Sequence, residues 1–312
     1  MERVVGVDVG GTNIQVGEVD GHRRVVKRHK RRTPRSVDEL LDTVGELVDK
    51  LDHRPDAVGI GIPGIVHEGE VFSAPNLVGW QRTTPIVDML EKRLGCRVVL
   101  GNDATVGLLG EWKAGAGKGF RHLLGVWLGT GVGAGMVLDG KLYEGIRGSA
   151  GEFGHICVRP GGAMCGCGRR GCVEAYAGRR SMGHTAEMWA ANGKHTALFR
   201  IRDEKGKEAL TSSVWSDALD EGDELAHKLI DEAIAALGVA IGASINLLDV
   251  DRVILGGGMA EKLGQPLADR IGEATAPYIL HAPDERSFAA SVLGDDAGVV
   301  GAAEIARSVP LD

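Results

Sequence analysis

Near its N-terminus the chain reads Val4-Val5-Gly6-Val7-Asp8-Val9-Gly10-Gly11-Thr12. A continuous apolar run that ends in an acid and a glycine pair predicts a buried strand that enters a tight turn. The glycines allow a close backbone approach. The Thr12 hydroxyl and nearby amides, including those of Asn13, are suited to hold phosphate oxygens, and Asp8 is placed to orient magnesium. Taken alone, a glycine-rich hairpin without a ligand explains these residues equally well.

The same pattern occurs a second time. A predicted strand over residues 122–128 is followed by Gly129-Thr130-Gly131-Val132-Gly133 and by another strand over residues 134–138. Two such turns can clamp a nucleotide between two lobes, so the repeat favours a nucleotide site. Neither turn carries the lysine of a P-loop, and neither opens a long helix after Gly-x-Gly-x-x-Gly, which disfavours the P-loop and Rossmann classes. A third turn is Gly256-Gly257-Gly258. It is suited to let adenine or ribose lie against the backbone, and a plain strand-to-helix turn is the alternative.

Strands and helices alternate along the rest of the chain, which predicts an α/β protein. We place two lobes at residues 1–118 plus 296–312 and at residues 119–295. The supporting segments are an amphipathic helix over 36–51 with Ser36 as its N-cap, a strand over 57–62, a helix over 84–94, a helix over 224–248 and a final helix over 297–307 that folds back on the first lobe.

Asn102 and Asp103 follow a predicted strand over residues 97–100, and catalytic groups collect at strand ends in open α/β sheets. A carboxylate at this place can take a proton from a hydroxyl while the amide orients the same substrate. A helix cap at Asp103 explains the pair as well, because Asn and Asp are both preferred at caps. The irregular segment 74–80, which contains Asn76 and Trp80, has the amide and the aromatic side chain that suit a sugar, although Trp80 is equally compatible with the core.

Cys165, Cys167 and Cys172 lie within eight residues of one another. Three thiolates with small spacers can wrap a tetrahedral ion, and His155 is close enough upstream to be the fourth ligand, which predicts a closed structural zinc site. Redox-active or simply buried cysteines are the alternative. A zinc ion there would hold Glu152 and Glu174 in defined positions, although both also suit an exposed surface. The other two cysteines, Cys96 and Cys157, are expected to be buried thiols.

The composition excludes other classes of protein. The net charge is −7 over 312 residues, which argues against a nucleic-acid backbone as the main partner, and the basic run over residues 23–35 is expected to be a solvated edge strand or hairpin rather than a nucleic-acid patch. We expect no signal peptide, and no apolar stretch of the roughly 18 residues that a membrane span requires. The expectation is a cytoplasmic protein.

Together these motifs resemble the ROK family of bacterial sugar kinases and related repressors. The resemblance runs over nearly the whole chain, and its most specific part is the cysteine cluster through Glu174. It implies an actin-like ATPase (ribonuclease H-like) fold with two lobes of mixed sheets around a central cleft. It also implies an ATP- and Mg²⁺-dependent kinase, a homodimer or homotetramer, with the dimerisation surface and the zinc site in the larger lobe.

The resemblance further assigns roles to single residues. Asp103 is expected to deprotonate the sugar 6-hydroxyl. The hydroxyl groups of the sugar are expected to contact Gly64 (through its backbone), Asn76, Asn102, Asp103, Glu152, His155 and Glu174. The nucleotide is expected at Asp8, Gly10, Gly11, Thr12 and Asn13, at Gly129, Thr130, Gly131 and Gly133, and at Gly256, Gly257 and Gly258. His155 would then serve both zinc and sugar.

Glucose is the expected substrate, and mannose, fructose, allose and the N-acetylhexosamines (N-acetylmannosamine and N-acetylglucosamine) are the alternatives, because selection at C2 depends on the shape of the pocket. Polyphosphate is a possible second donor, for which Lys113, Lys118 and Arg121 are faint candidates. A sugar-responsive repressor is a further class, disfavoured because such relatives carry an added helix-turn-helix domain ahead of the first strand.

Overall fold

The computed structural model describes residues 3–73, 83–280 and 287–308. The chain forms two compact units. The first consists of Met1–Arg121, Gly135–Gly151 and Val292–Asp312, and the second of His122–Ala134 and Glu152–Ser291.

The strands of the described residues are β1 (Val4–Val9), β2 (Asn13–Val19), β3 (Val25–Arg32), β4 (Ala57–Ile62), β5 (Ile65–His67), β6 (Glu70–Ser73), β7 (Arg97–Asn102), β8 (Leu123–Leu128), β9 (Val132–Leu138), β10 (Lys141–Leu142), β11 (Arg252–Gly256) and β12 (Phe288–Ala290). The helices are α1 (Val37–Val48), α2 (Ile86–Leu94), α3 (Asp103–Ala114), α4 (Glu174–Ala177), α5 (Arg179–Ala191), α6 (Leu198–Glu204), α7 (Ser212–Asp220), α8 (Glu224–Leu248), α9 (Gly257–Thr275, broken at Gly264) and α10 (Asp296–Arg307). Short 3-10 helices lie at Phe153–His155 and Ala276–Tyr278.

The sheet of the first unit has the order β3-β2-β1-β4-β7, with antiparallel pairing from β3 to β1 and parallel pairing from β1 to β7. Its two faces alternate along β1, as a strand covered on both sides requires. Val5 and Val7 pack with the apolar faces of α1 and α2, while Val4 packs with α10. The sheet is therefore buried on both faces, and its parallel strands end together at Ile62 and Asn102.

Helix α10 lies unusually close to this sheet. A methyl group on Gly6 would come within 1.9 Å of the Val299 carbonyl oxygen, and one on Gly59 within 1.6 Å of the Ala302 carbonyl oxygen. Glycine is needed at both strand positions because no side chain fits between the two backbones. This contact holds the last helix against the first sheet, as the sequence predicts.

The basic run forms the edge strand β3, as predicted. Four of its basic side chains pair with carboxylates of the same unit, in the pairs Lys27–Asp52 (2.6 Å), Lys30–Asp295 (3.4 Å), Arg31–Glu46 (2.5 Å) and Arg28–Asp296. The positive charge of the strand is thus balanced within the unit, and the exposed charges keep the sheet edge from pairing with another chain.

The second sheet repeats the arrangement of the first. Its order is β10-β9-β8-β11-β12, again three antiparallel strands followed by parallel pairing of β8, β11 and β12. The hairpin β8–β9 therefore corresponds to β1–β2, and β11 to β4. The repeat that the sequence shows in its two glycine-threonine turns is thus a repeat of the whole sheet.

Helix α8 bears on the expectation that the chain has no apolar stretch long enough to span a membrane. Its 25 residues are long and apolar enough to cross a membrane by length and composition alone, because its acidic and lysine side chains all lie within residues 224–232. However, 56% of the most apolar window is buried inside the protein, where α8 packs against α4 and α9. This burial is the behaviour of a core helix.

Candidate functional site

The first glycine-threonine turn joins β1 to β2. The Gly10 amide donates to the Asn13 carbonyl (2.9 Å), the Thr33 hydroxyl donates to the Gly10 carbonyl (2.6 Å), and Gly11 and Thr12 are exposed at the tip. Asp8 is half-buried at the end of β1. Its carboxylate lies against the first turn of α10, since a methyl group on Gly298 would be 2.8 Å from Asp8 Oδ2. The positive end of that helix favours a negative charge at Asp8.

Asn102 caps helix α3 and leaves Asp103 as its first residue. The Asn102 side-chain oxygen accepts from the amides of Ala104 (3.0 Å) and Thr105 (3.1 Å), while its nitrogen donates to the Gly64 carbonyl (3.0 Å). The alternative of a helix cap at Asp103 is therefore wrong, because the N-cap is Asn102 and Asp103 is the first residue of the helix. Because the cap falls on the preceding residue, the half-buried Asp103 carboxylate is not needed for it, although Oδ1 of Asp103 also contacts the Ala104 amide at 2.9 Å.

The first unit thus brings Gly64, Asn102 and Asp103 together at the ends of β4 and β7. Asn76 and Trp80, with the rest of the segment that sequence reasoning assigned to the sugar, lie outside the described residues.

The second glycine-threonine turn joins β8 to β9 and is held by the start of α5. The Gly129 amide donates to the Gly131 carbonyl (3.0 Å), and the amides of Arg179 and Arg180 donate to the carbonyls of Gly129 (3.1 Å) and Thr130 (3.0 Å). The turn at Gly256–Gly258 lies beside it, because Gly256 pairs with Trp127 at the end of β8. Gly257 begins α9 with φ +80°, a conformation that glycine adopts without strain.

Glu174, the first residue of α4, contacts this second turn. Its Oε2 accepts from the Val132 amide at 3.0 Å, and its Oε1 lies 4.0 Å from Sγ of Cys165. One half-buried carboxylate therefore bridges the turn and the cysteine cluster.

The four predicted zinc ligands converge. The ligand atoms of His155, Cys165, Cys167 and Cys172 all lie within 4.8 Å of one another. The distance is 3.7 Å from Cys165 Sγ to His155 Nδ1 and 3.8 Å from Cys167 Sγ to Cys172 Sγ. Thiolates at about 2.3 Å from a tetrahedral zinc are separated by about 3.8 Å, so the donor set fits this ion in chemistry and spacing.

The three thiols differ in their pKa values. Burial raises the pKa of Cys165 to about 12 and also raises that of Cys172, whereas a hydrogen bond from the Arg169 backbone lowers the pKa of the exposed Cys167 to about 6. A bound cation offsets the cost of holding thiolates at the two buried positions.

His155 faces two ways. While its Nδ1 points to Cys165, its Nε2 lies 3.8 Å from a carboxylate oxygen of Glu152. The second unit therefore brings together Glu152, His155 and Glu174, the three residues of this unit that the resemblance assigns to the sugar. Both ring nitrogens have neighbours of the kind that fixes a metal-binding histidine in one orientation.

The expectation of buried thiols is wrong for Cys157 and correct only in part for Cys96. Cys157 is exposed, with its Sγ 3.5 Å from the Arg170 carbonyl, and Cys96 is half-buried. The preceding residue, Ile156, is exposed as well, so this stretch of the chain lies at the surface.

Sequence reasoning missed Arg179 and Ser212. The guanidinium of Arg179 donates to the Ser212 hydroxyl (2.8 Å) and to the Thr130 hydroxyl (3.4 Å). One signal was available: Arg179 opens a helix, and a basic residue is unfavourable at the positive end of a helix dipole unless it serves another purpose.

Comparison with known proteins places this architecture in a family. The model of the ROK family matches residues 4–309. The chain is 34% identical to a glucokinase from Streptomyces coelicolor, over 98% of each chain. It is also similar to two solved structures: a ROK family glucokinase from Streptomyces griseus in complex with glucose and AMPPNP (34% identity, TM-score 0.87, 98% of this chain and 100% of that one), and a ROK hexokinase from Thermus thermophilus (30%, 0.80, 98% of each).

The fold and the site therefore define an α/β protein of the actin-like ATPase class, which confirms the predicted fold class. The chain belongs to the ROK family.

Proposed function

We propose that this protein is an ATP-dependent glucokinase that transfers the γ-phosphate to the 6-hydroxyl of glucose. The observation that carries the proposal is the strand end at Asn102–Asp103, in a chain that matches over 98% of its length a kinase solved with glucose and AMPPNP. Asn102 is fixed by three hydrogen bonds, and its fixed amide places the neighbouring carboxylate at a defined point of the strand edge.

In the proposed reaction Asp103 accepts the proton of the sugar 6-hydroxyl while that oxygen attacks the γ-phosphorus. The bond from O6 to phosphorus forms, the bond from phosphorus to the β,γ-bridging oxygen breaks, and ADP leaves. Phosphoryl transfer depends mainly on positioning and charge compensation, so one base with fixed neighbours is a sufficient protein contribution to the acceptor side.

On the donor side, we assign the phosphates to the two glycine-threonine turns and the nucleoside to Gly256–Gly258. Asp8 is the residue that would hold the magnesium ion, which supplies charge compensation on the phosphates. The hydroxyl groups of the sugar are assigned to Gly64, Asn76, Asn102, Glu152, His155 and Glu174.

We assign a structural role to the zinc site. Three thiolates and one imidazole fill a tetrahedral coordination sphere, which leaves no open position for water or substrate. The ion would fix the orientation of His155 and, through the adjacent carboxylate, that of Glu152. We assign the protein to the cytoplasm, because a reducing compartment that contains ATP suits both the proposed donor and thiolate ligands of zinc.

We further propose a homodimer or homotetramer. Leu247 at the end of α8 and Leu280 are 83% and 84% exposed, and Asn246 joins their two segments by hydrogen bonds to the Tyr278 carbonyl (2.7 Å) and the Leu280 amide (3.0 Å). Apolar side chains grouped in this way favour an interface of the second unit with a copy of itself. Sedimentation of the wild type and of Leu247→Glu tests this: a wild type that is monomeric at micromolar concentration contradicts it.

Assays of glucose, mannose, fructose, allose and N-acetylhexosamines with ATP and with polyphosphate test the proposed activity. We expect the highest kcat/KM for glucose with ATP. A preferred N-acetylhexosamine would assign another sugar to the same site, and no turnover of any sugar would contradict the proposal. Two of the basic residues considered for polyphosphate binding have partners within the protein: Arg121 pairs with Asp139, and Nζ of Lys113 lies 3.6 Å from the centroid of the Trp112 ring. These contacts give no support to polyphosphate as a second donor.

A further inference from the structure

Arg179 is a charged side chain in the second unit to which the proposed mechanism gives no role. It is the first residue of α5 and is only partly accessible to solvent. Burial lowers the pKa of its guanidinium, but an arginine is still charged at neutral pH. Within the described part of the chain it forms no ion pair with a carboxylate. A partly desolvated cation without an anion is unfavourable unless a ligand supplies one.

The surroundings of this guanidinium are those of the nucleotide side. One terminal nitrogen donates to Ser212, the first residue of α7, at 2.8 Å, and the other lies 3.4 Å from the hydroxyl of Thr130. Gly258 is close as well, since a methyl group there would lie 2.7 Å from the Ser212 hydroxyl and 3.7 Å from the guanidinium. Arg179 therefore touches one glycine turn directly and reaches the other through Ser212.

The same contacts fix the orientation of the side chain. Two of the five N–H donors of a guanidinium are engaged by hydroxyls, which leaves the planar group positioned but not saturated among the described residues. A guanidinium held in this way is matched in shape and charge to phosphate oxygens. The backbone amides of Arg179 and Arg180 also hold the carbonyls of Gly129 and Thr130, so the positions of turn and guanidinium are coupled.

We propose that Arg179 is a further phosphate-binding residue of the nucleotide site, which Ser212 and Thr130 hold in place to contact the phosphate oxygens of the donor nucleotide. This inference rests on the proposed kinase function. It adds to the neutral amides of the turns a fixed positive charge that belongs to the protein itself.

The test compares Mg-ADP with adenosine, because only the former carries phosphates. In Arg179→Gln we expect the Kd for Mg-ADP, measured by calorimetry, to rise about 10- to 100-fold, the range for loss of a charged hydrogen bond. Adenosine binding, followed by saturation-transfer NMR, should stay within about twofold of wild type. Arg179→Lys should recover part of the ADP affinity, because it restores the charge without the planar fork.

Arg180→Gln is the matched control, since it removes the same charge from the next residue of α5, whose side chain is exposed. We expect it to bind Mg-ADP as the wild type does. Two results would overturn the inference: unchanged ADP affinity in Arg179→Gln, or equal losses for ADP and adenosine, which would show that Arg179 only holds α5 and α7 together. A wild type that binds no ADP would instead contradict the proposed function.

Discussion

The carboxylate of Glu174 accepts a hydrogen bond from the backbone amide of Val132 at 3.0 Å. Val132 is the first residue of β9, directly after the second glycine-threonine turn, and Glu174 follows the last cysteine of the cluster by two residues. The shape of the turn and the position of the cysteine cluster are therefore linked through one side chain. Its other oxygen lies 4.0 Å from Cys165 Sγ.

Glu174→Ala removes the acceptor of the Val132 amide. We expect the KM for ATP to rise about 10-fold, because an unpaired buried amide costs about 1–3 kcal/mol and the turn must rearrange. Glu174→Gln keeps an oxygen in place, so its KM for ATP should stay near that of the wild type while its glucose affinity falls with the lost charge. Zinc content should be unchanged in both variants. A wild-type KM for ATP in Glu174→Ala would contradict the proposed link.

Asp103→Asn removes the proposed base but keeps the size of the side chain. We expect kcat to fall by at least about 100-fold, the contribution of general-base catalysis, with glucose affinity within a few-fold of wild type. Helix α3 should persist, because its cap is Asn102. Glucose binding by calorimetry and turnover in a coupled assay separate the two effects.

Asp38→Asn is the control, because Asp38 is likewise an acid in the first turn of a helix but is exposed and distant in sequence from the strand end. It should retain wild-type kcat. Substantial turnover by Asp103→Asn would reject Asp103 as the base.

Cys167→Ser removes one of the four converging sulfur and nitrogen atoms. We expect the wild type to contain about one zinc ion per chain and the variant to lose most of it, with a lower Tm and weaker glucose binding, because metal binding and folding of such sites are coupled. Cys157→Ser is the matched control: this exposed cysteine lies two residues after His155 but outside the ligand set, so zinc should be retained. Elemental analysis that finds no zinc in the wild type would reject the site.

Glu111→Ala tests a buried carboxylate of the first unit. Glu111 is fully buried, its Oε2 accepts from the Ala116 amide (2.7 Å), and its Oε1 accepts from the amides of Val292 (3.1 Å) and Leu293 (2.8 Å). The substitution leaves these amides unpaired, so we expect a loss of ~2–4 kcal/mol in the free energy of unfolding.

Denaturant titration of Glu111→Ala should be compared with that of Asp42→Ala, an exposed carboxylate on α1 that should change stability by less than ~0.5 kcal/mol. Equal stabilities of the two variants would show that the three amides find other acceptors.

Local patterns predicted much of the fold. The strand β4 and the helix α8 have the predicted bounds, and Ser36 caps α1 with its hydroxyl accepting from the Glu39 amide at 3.3 Å. These elements can be predicted because continuous apolar runs, 3.6-residue periodicity and capping residues act over short stretches of chain. Periodicity is weaker at helix ends, and α1 stops at Val48 instead of continuing to Leu51.

Such local patterns do not predict which residues far apart in the chain contact each other. Nothing in the spacing of Glu111 and Val292 indicates that a carboxylate and an amide 181 positions apart would meet. Arg179 was missed for the same reason, since its partners Thr130 and Ser212 lie 49 and 33 positions away. Exposure of Cys157 was missed because a thiol has the same sequence signature at the surface as in the core.

The amino-acid sequence by itself determined the two glycine-threonine turns, the Asn102–Asp103 strand end and the membership of His155 in the cysteine cluster, because each depends on residue type and on short spacings. Only the tertiary structure decided that the cap falls on Asn102, that Glu174 joins the second turn to the cysteines, and that a guanidinium stands beside that turn. These contacts arise where strands and helices far apart in sequence pack together, and packing distances between such elements are not encoded in any single segment.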